Sequence, residues 1–180
     1  MTPDWSAARA EAARLVAPWN EGAAPGGAIL AFDATTMPVA EAAGRESLST
    51  GASFGPDSVV RYASVTKHVL AAMQRRHRNA VRLDDPLSRH LPELTGPMAA
   101  VPVARALDMT GGLPDVRESL ALLGLSVQTV VEPGPILDFL ASDGALNFAP
   151  GTEVSYSNTG YRLAEVALAR RARPFADYVA

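Results

Sequence analysis

The sequence predicts an α/β fold of the α+β kind, a partial antiparallel sheet together with an all-helical lobe. Three observations carry that prediction. Apolar residues recur at helical spacing near the N-terminus. Two strand-like runs separated by a turn follow, over 27–45. From Pro56 onward the strand signal largely gives way to helical patterning punctuated by Gly/Pro turns. Residues 1–60 are therefore expected to supply an N-terminal helix and β-hairpin, and residues 61–180 a mostly helical lobe.

The elements are read in order. Trp5, Ala8, Ala12, Leu15, Val16 and Trp19 repeat at the spacing of one helix face over 1–22. Pro25 with Gly26 and Gly27 breaks that helix. Residues 27–32 (GAILAF) read as a buried strand, 33–36 (DATT) as a turn, and 38–45 as its hairpin partner. Residues 57–73 lead into a helix that ends before Leu83-Asp84-Asp85-Pro86. A short helix is expected over 103–109, stopped by the turn cluster 110–115 (TGGLPD). Residues 136–140 read as a helix face, 148–152 (FAPGT) as a turn, and 159–171 as a helix with Tyr161, Ala164 and Leu168 on one side.

Composition narrows the function classes. The chain has 180 residues, 48% of them hydrophobic, and a net charge of −3. That suits a soluble globular protein and argues against general affinity for nucleic acid or an anionic membrane. No run of 18 apolar residues occurs, so no membrane span is expected. With no cysteine, the chain has no disulfide, thiolate nucleophile or zinc–thiolate site. The first 22 residues lack the basic start and apolar run of a signal peptide, and a cytoplasmic location is expected.

The charge count hides one informative residue. Of 16 basic residues 15 are arginine, and the single lysine is Lys67. One reading is codon-biased drift that spared a residue. The other is chemical: a desolvated lysine can lose its proton and act as a base, which arginine effectively cannot. Lys67 follows Ser64 at i+3 in Ser64-Val65-Thr66-Lys67, so on a helix the amine reaches the hydroxyl. A serine becomes a competent nucleophile when a neighbouring base takes its proton. At a helix start, the Ser64 N–H could also face a developing oxyanion. Twelve serines in 180 positions make this spacing a chance event about one time in fifteen.

Tyr156-Ser157-Asn158 is the second element. In an extended loop Tyr156 and Asn158 point the same way. A phenol beside a lysine can relay protons, and an asparagine amide can hold a substrate carbonyl. The competing reading is a surface loop whose tyrosine packs on the core.

Together these motifs, in this order, resemble the penicillin-recognising serine hydrolases, in the branch holding class C β-lactamases, DD-peptidases, D-aminopeptidases and related esterases. Ser64-Val65-Thr66-Lys67 matches the family's S-x-x-K, and Tyr156-Ser157-Asn158 its Y-x-N. The segments 25–32, 83–87, 91–93, 110–114, 148–152 and 156–161 match as framing motifs, and residues 113–158 look closest to the D-aminopeptidase branch. The resemblance implies a β-lactamase/transpeptidase-like fold and hydrolysis of amide or ester bonds through an acyl-enzyme. D-amino-acid peptides or amides would be the substrates, with an esterase or β-lactamase as the alternative on the same scaffold. Ser64 would be the nucleophile, Lys67 and Tyr156 would share the proton, and Asn158 would orient the substrate. It implies no cofactor and no metal, and a small-molecule or peptide partner.

Three departures follow from the same comparison. The family's K-T-G or H-x-G motif is missing, because no lysine follows Lys67 and no histidine follows His90. Its closing strands are not in the sequence either. An N-terminal fragment of one truncated catalytic domain is therefore expected, with a catalytically incomplete remnant or binding module as the rival reading. Third, Arg75, Arg76, His77 and Arg78 sit where the family's central helix is apolar, so that helix is expected to shorten after Met73. Asp84 and Asp85 read as a turn pair, His68, His77 and His90 as structural or solvated, and Asp115 as shaping its loop. Arg170, Arg171 and Arg173 read as a solvated face or a helix C-terminus.

Overall fold

The computed structural model describes residues 4–126, 129 and 133–179. The chain divides after Arg61 into two compact units.

In the first unit, α1 (Ser6–Val16) buries Ala12 and Val16 and packs on the hairpin of β1 (Gly27–Ala31) and β2 (Val39–Ala43). Pro18 sits in the 3-10 turn Ala17–Asn20 that follows α1, so the helix is shorter than its apolar repeat. The strands are antiparallel, with Gly27 opposite Ala43 and Ala31 opposite Val39. The turn between them is set by Asp33, whose Oδ1 accepts from the N–H groups of Thr35 and Thr36 at 2.8 and 2.9 Å. Those bonds favour the carboxylate and lower its pKa to about 2.

The expectation of a buried strand at 27–32 is corrected here. Val39 and Ala43 on β2 are buried, but Leu30 is 42% exposed and Phe32, just past the end of β1, is 71% exposed. Successive side chains of a strand point to opposite faces, so α1 can cover only one of them.

The second unit is helical: α2 (Thr66–Arg76), α3 (Gly96–Ala99), α4 (Val103–Leu107), α5 (Val116–Leu122), α6 (Pro133–Asp143), α7 (Asn158–Arg171) and α8 (Ala176–Val179). Its core gathers Leu70 and Met73 of α2, Val81, Leu87, Leu91, Val101 and Val103, with Leu137 and Leu140 of α6. Helix α7 is its most buried element, with Leu163, Ala164, Ala167 and Leu168 almost wholly enclosed. It approaches α4 closely because position 160 has no side chain: a Cβ there would meet the Ala106 carbonyl, 2.8 Å from its carbon. No helix of the described residues is long and apolar enough to cross a membrane.

Two further helix ends, besides that of α1, differ from the sequence expectation. Helix α2 continues through Arg75 and Arg76 rather than ending after Met73. Both arginines lie exposed in its last turn, where cations complement the helix dipole, so no charge is buried. Helix α4 stops at Leu107, because Met109 has φ +66, outside the helical region.

The loop between α2 and α4 is tied down by polar groups. Asp85 is buried and accepts from the Arg82 N–H at 3.1 Å, from Arg89 at 2.9 Å, and pairs with His90 Nε2 at 2.9 Å. Burial raises this carboxyl, but the Arg82 N–H, His90 and Arg89 together hold it below its usual value. Asp84 only pairs with exposed Arg82. The pair is structural, as read, and so are His90 and His77, which hydrogen-bonds Tyr178 Oη at 2.5 Å. Arg170 and Arg171 lie in the last turn of α7, a helix C-terminus as expected, and Arg170 also pairs with Glu93 at 2.6 Å.

Candidate active site

Ser64 occupies the middle of a 3-10 turn, Ala63–Val65, which runs directly into α2. One turn of helix therefore separates Ser64 from Lys67, and Lys67 Nζ donates to Ser64 Oγ at 3.3 Å. The turn is entered through strain. Ala63 has φ +45, a left-handed conformation that costs a residue with a Cβ about 1 kcal/mol or more. This non-glycine outlier directly before Ser64 had no sequence signal.

Tyr156 and Asn158 come from the far side of the unit in sequence. Residues 147–155 run beside residues 109–112, with Asn147 N–H donating to Gly112 O at 2.7 Å, Gly151 N–H to Thr110 O at 2.8 Å and Ser155 N–H to Met109 O at 3.0 Å. Gly112 has φ +69 and no room for a side chain against Phe148, which is why a glycine belongs there. Ser157 is extended and caps α7, its hydroxyl accepting from the Thr159 N–H at 3.2 Å. The extended segment puts Tyr156 and Asn158 on one side, as their spacing predicts.

The four residues singled out from the sequence meet. Lys67 Nζ donates to Tyr156 Oη at 2.6 Å and to Asn158 Oδ1 at 2.8 Å, besides its bond to Ser64. Ser64 Oγ and Tyr156 Oη are 2.6 Å apart, so one hydroxyl donates to the other. The ammonium also lies 4.8 Å from the Tyr156 ring centroid and 5.5 Å from that of Tyr161. Hydrogen bonds from Lys67 and with Ser64 lower the Tyr156 phenol from its ordinary value of 10.0, against a smaller upward push from burial. Tyr161 moves the other way, raised mainly by burial and further by Tyr156 and Asp108.

Two further residues contribute that the sequence does not mark as part of this site: Tyr161, which it places on a helix face and in the 156–161 framing motif, and Asp115, which it places as shaping its loop. Asp115 does cap α5, its Oδ1 accepting from the N–H groups of Arg117 and Glu118 at 2.8 and 3.2 Å. Its Oδ2 also accepts from the Asn158 N–H at 2.5 Å and from Asn158 Nδ2 at 2.8 Å. The spacing of an N-cap carboxylate carries no mark of a second partner 43 residues later in the chain.

A cavity of about 370 Å³ opens beside the nucleophile, lined by Ser64, Lys67 and Asn158 together with Leu70, Tyr161 and Phe175. That volume is of the order that takes a small ligand. Among the described residues, no three His, Asp or Glu side chains gather as a metal site. The arrangement can lend Ser64 a proton acceptor and place a cation beside whichever oxygen gains charge.

The family model described as Beta-lactamase matches residues 9–180. Similar solved structures include a D-amino acid amidase from Ochrobactrum anthropi SV3, complexed with D-phenylalanine, at 25% identity and TM-score 0.71, covering 95% of this chain and 46% of that one. A D-stereospecific amidohydrolase from Streptomyces sp. matches at 25% identity and TM-score 0.69, covering 98% of this chain and 52% of that one. An octameric penicillin-binding protein homologue from Pyrococcus abyssi shares the fold at 19% identity and TM-score 0.70, over 86% of this chain and 37% of its own. The chain thus spans about half or less of the length of each. No curated protein matches it.

Proposed function

The chain belongs to the β-lactamase family, and on that premise we propose that it carries the nucleophilic half of a serine hydrolase that cleaves amide or ester bonds through an acyl-enzyme. The observation that carries this reading is the single ammonium of Lys67 donating to Ser64, Tyr156 and Asn158 at once.

The chemistry follows from the distances. Tyr156 Oη lies nearer to Ser64 Oγ than Lys67 Nζ does, and its phenolate is the form that Lys67 favours. As Ser64 Oγ bonds to the substrate carbonyl carbon, its proton passes to the Tyr156 phenolate and the Lys67 ammonium balances the charge. The Ser64 N–H, at the open start of its turn, offers a donor to the carbonyl oxygen. Collapse breaks the bond to the amine or alcohol, which takes the proton back from Tyr156. Water then attacks the acyl-enzyme by the same path and regenerates Ser64. Asn158 holds Lys67 in place through a third bond, its Oδ1 accepting from the ammonium at 2.8 Å.

The D-amino acid amidase and D-stereospecific amidohydrolase neighbours favour small D-amino-acid amides or peptides as substrates. An esterase or β-lactamase would use the same four residues. The second reading is a binding module, in which Ser64, Lys67 and Asn158 beside the cavity of about 370 Å³ hold a ligand without turning it over.

The test is to incubate the protein with a fluorophosphonate and with a β-lactam and locate any adduct by mass mapping. An adduct on Ser64, lost in Ser64→Ala, supports the hydrolase reading, and a panel of D- and L-amino-acid amides and esters then ranks the substrates. A folded protein without an adduct would leave the binding module as the reading that stands.

A further inference from the structure

We propose that Asp115 is a positioning residue for Lys67 and acts through the side-chain amide of Asn158. One oxygen of Asp115 takes the two N–H groups at the start of α5, and the other takes the Asn158 backbone N–H and its Nδ2. Four N–H groups thus converge on one buried carboxylate. It is a full set for two oxygens.

The consequence lies in which end of the amide faces which neighbour. With Nδ2 held by Asp115, Oδ1 is turned toward the Lys67 ammonium, which it accepts at 2.8 Å. Rotating the amide by half a turn would put its NH2 against an ammonium and its oxygen against a carboxylate, two repulsions in place of two charge-assisted bonds. Asp115 therefore selects one of the two amide orientations. Asn158 transmits that selection as an acceptor on Lys67, beside Tyr156, whose Oη also donates to Asn158 Oδ1 at 3.5 Å. The same carboxylate fixes the N-terminus of α5, so the loop carrying Asp115 and the start of α7 move as one piece.

Asp115→Asn separates the two duties. Asparagine caps a helix about as well as aspartate, but it lacks the charge and brings its own NH2 to the Asn158 amide, so the orientation is released. Asp115→Ser is a second cap-retaining variant should the first fold poorly. Because Lys67 is the only lysine, protein made with isotopically labelled lysine shows one side-chain ammonium signal. The exchange of its protons with water then reports on its acceptors whether or not the protein turns over a substrate.

The proposal rests on the hydrolase reading only for its rate measurement. In either cap-retaining variant, ammonium proton exchange should speed up and Ser64 acylation by a fluorophosphonate should slow, each by about tenfold. In an Asn158→Ala background the same Asp115 change should alter neither by more than about twofold, because the intermediary is gone. Wild-type exchange rates in both variants would overturn the proposal. So would an equal acceleration with and without Asn158, since that is the signature of a loosened α5 alone. Should wild-type protein take no label on Ser64, the hydrolase reading fails while the lysine signal still decides the role of Asp115.

Discussion

The Lys67 ammonium and the Tyr156 phenol oxygen are 2.6 Å apart although 89 residues separate them in the chain. That bond unites two motifs that are each weak alone, and it lowers the phenol's pKa.

The first prediction is spectroscopic. Phenolate absorbance followed against pH should show Tyr156 losing its proton below 10.0 and Tyr161 above it. Lys67→Met should return the Tyr156 step toward its ordinary value, because the largest cause of the shift is removed. In stability, the sign is that of any group with a depressed folded pKa. The Tyr156 contribution is fully present above 10.0 and is lost as pH falls through the lowered value. Titration of Tyr156→Phe identifies the step. A Tyr156 step at or above 10.0 in the wild type would contradict the assigned bond.

Lys67→Arg keeps the positive charge but replaces a compact ammonium, which donates to Ser64, Tyr156 and Asn158 at once, with a larger planar guanidinium that does not reproduce those three bonds. Acylation of Ser64 is expected to fall by about 10²–10⁴-fold, measured as the rate of fluorophosphonate labelling. An unchanged rate would show that only the charge matters.

Gly160→Ala tests the approach of α7 to α4. On an exposed helix this change stabilises by about 1 kcal/mol. Here the new Cβ would meet the Ala106 carbonyl, 2.8 Å from its carbon, and urea denaturation should instead show a loss of about 1–3 kcal/mol. The displaced start of α7 also carries Asn158, so labelling of Ser64 should slow as well.

Asp85→Ala strips partners from the Arg82 N–H and from buried His90. Leaving such groups unsatisfied costs about 1–3 kcal/mol, readable as a lower urea midpoint. Since the folded pKa of Asp85 is depressed, its contribution is present above 3.8 and is lost as pH falls through the lowered value. The wild type and Asp85→Ala should converge in stability on acidification below 3.8. His90→Ala should leave the labelling rate of Ser64 near the wild-type value, and a large loss would reveal a catalytic histidine.

Much of the site was legible because its key relations are local. Ser64 and Lys67 lie one helical turn apart, and Tyr156 and Asn158 alternate along an extended segment, so backbone periodicity alone predicts which side chains share a side. Helices α2 and α7 were legible from their apolar repeats. Their ends were less so: Arg75 and Arg76 looked too costly for a core helix, yet the last turn of α2 faces water.

What the sequence determined by itself is chemistry and pairwise local geometry: a serine within reach of the only lysine, and a tyrosine and an asparagine facing one way. Only the tertiary structure decided that these two pairs form one site. Three backbone hydrogen bonds from residues 147–155 to residues 109–112 bring the distant segment home. It also decided that Asp115 turns the Asn158 amide toward Lys67 and that half of β1 faces outward. The physical reason is the same each time. Periodicity says which way a side chain points, but hydrogen-bond partners and burial depend on what the rest of the chain places in front of it.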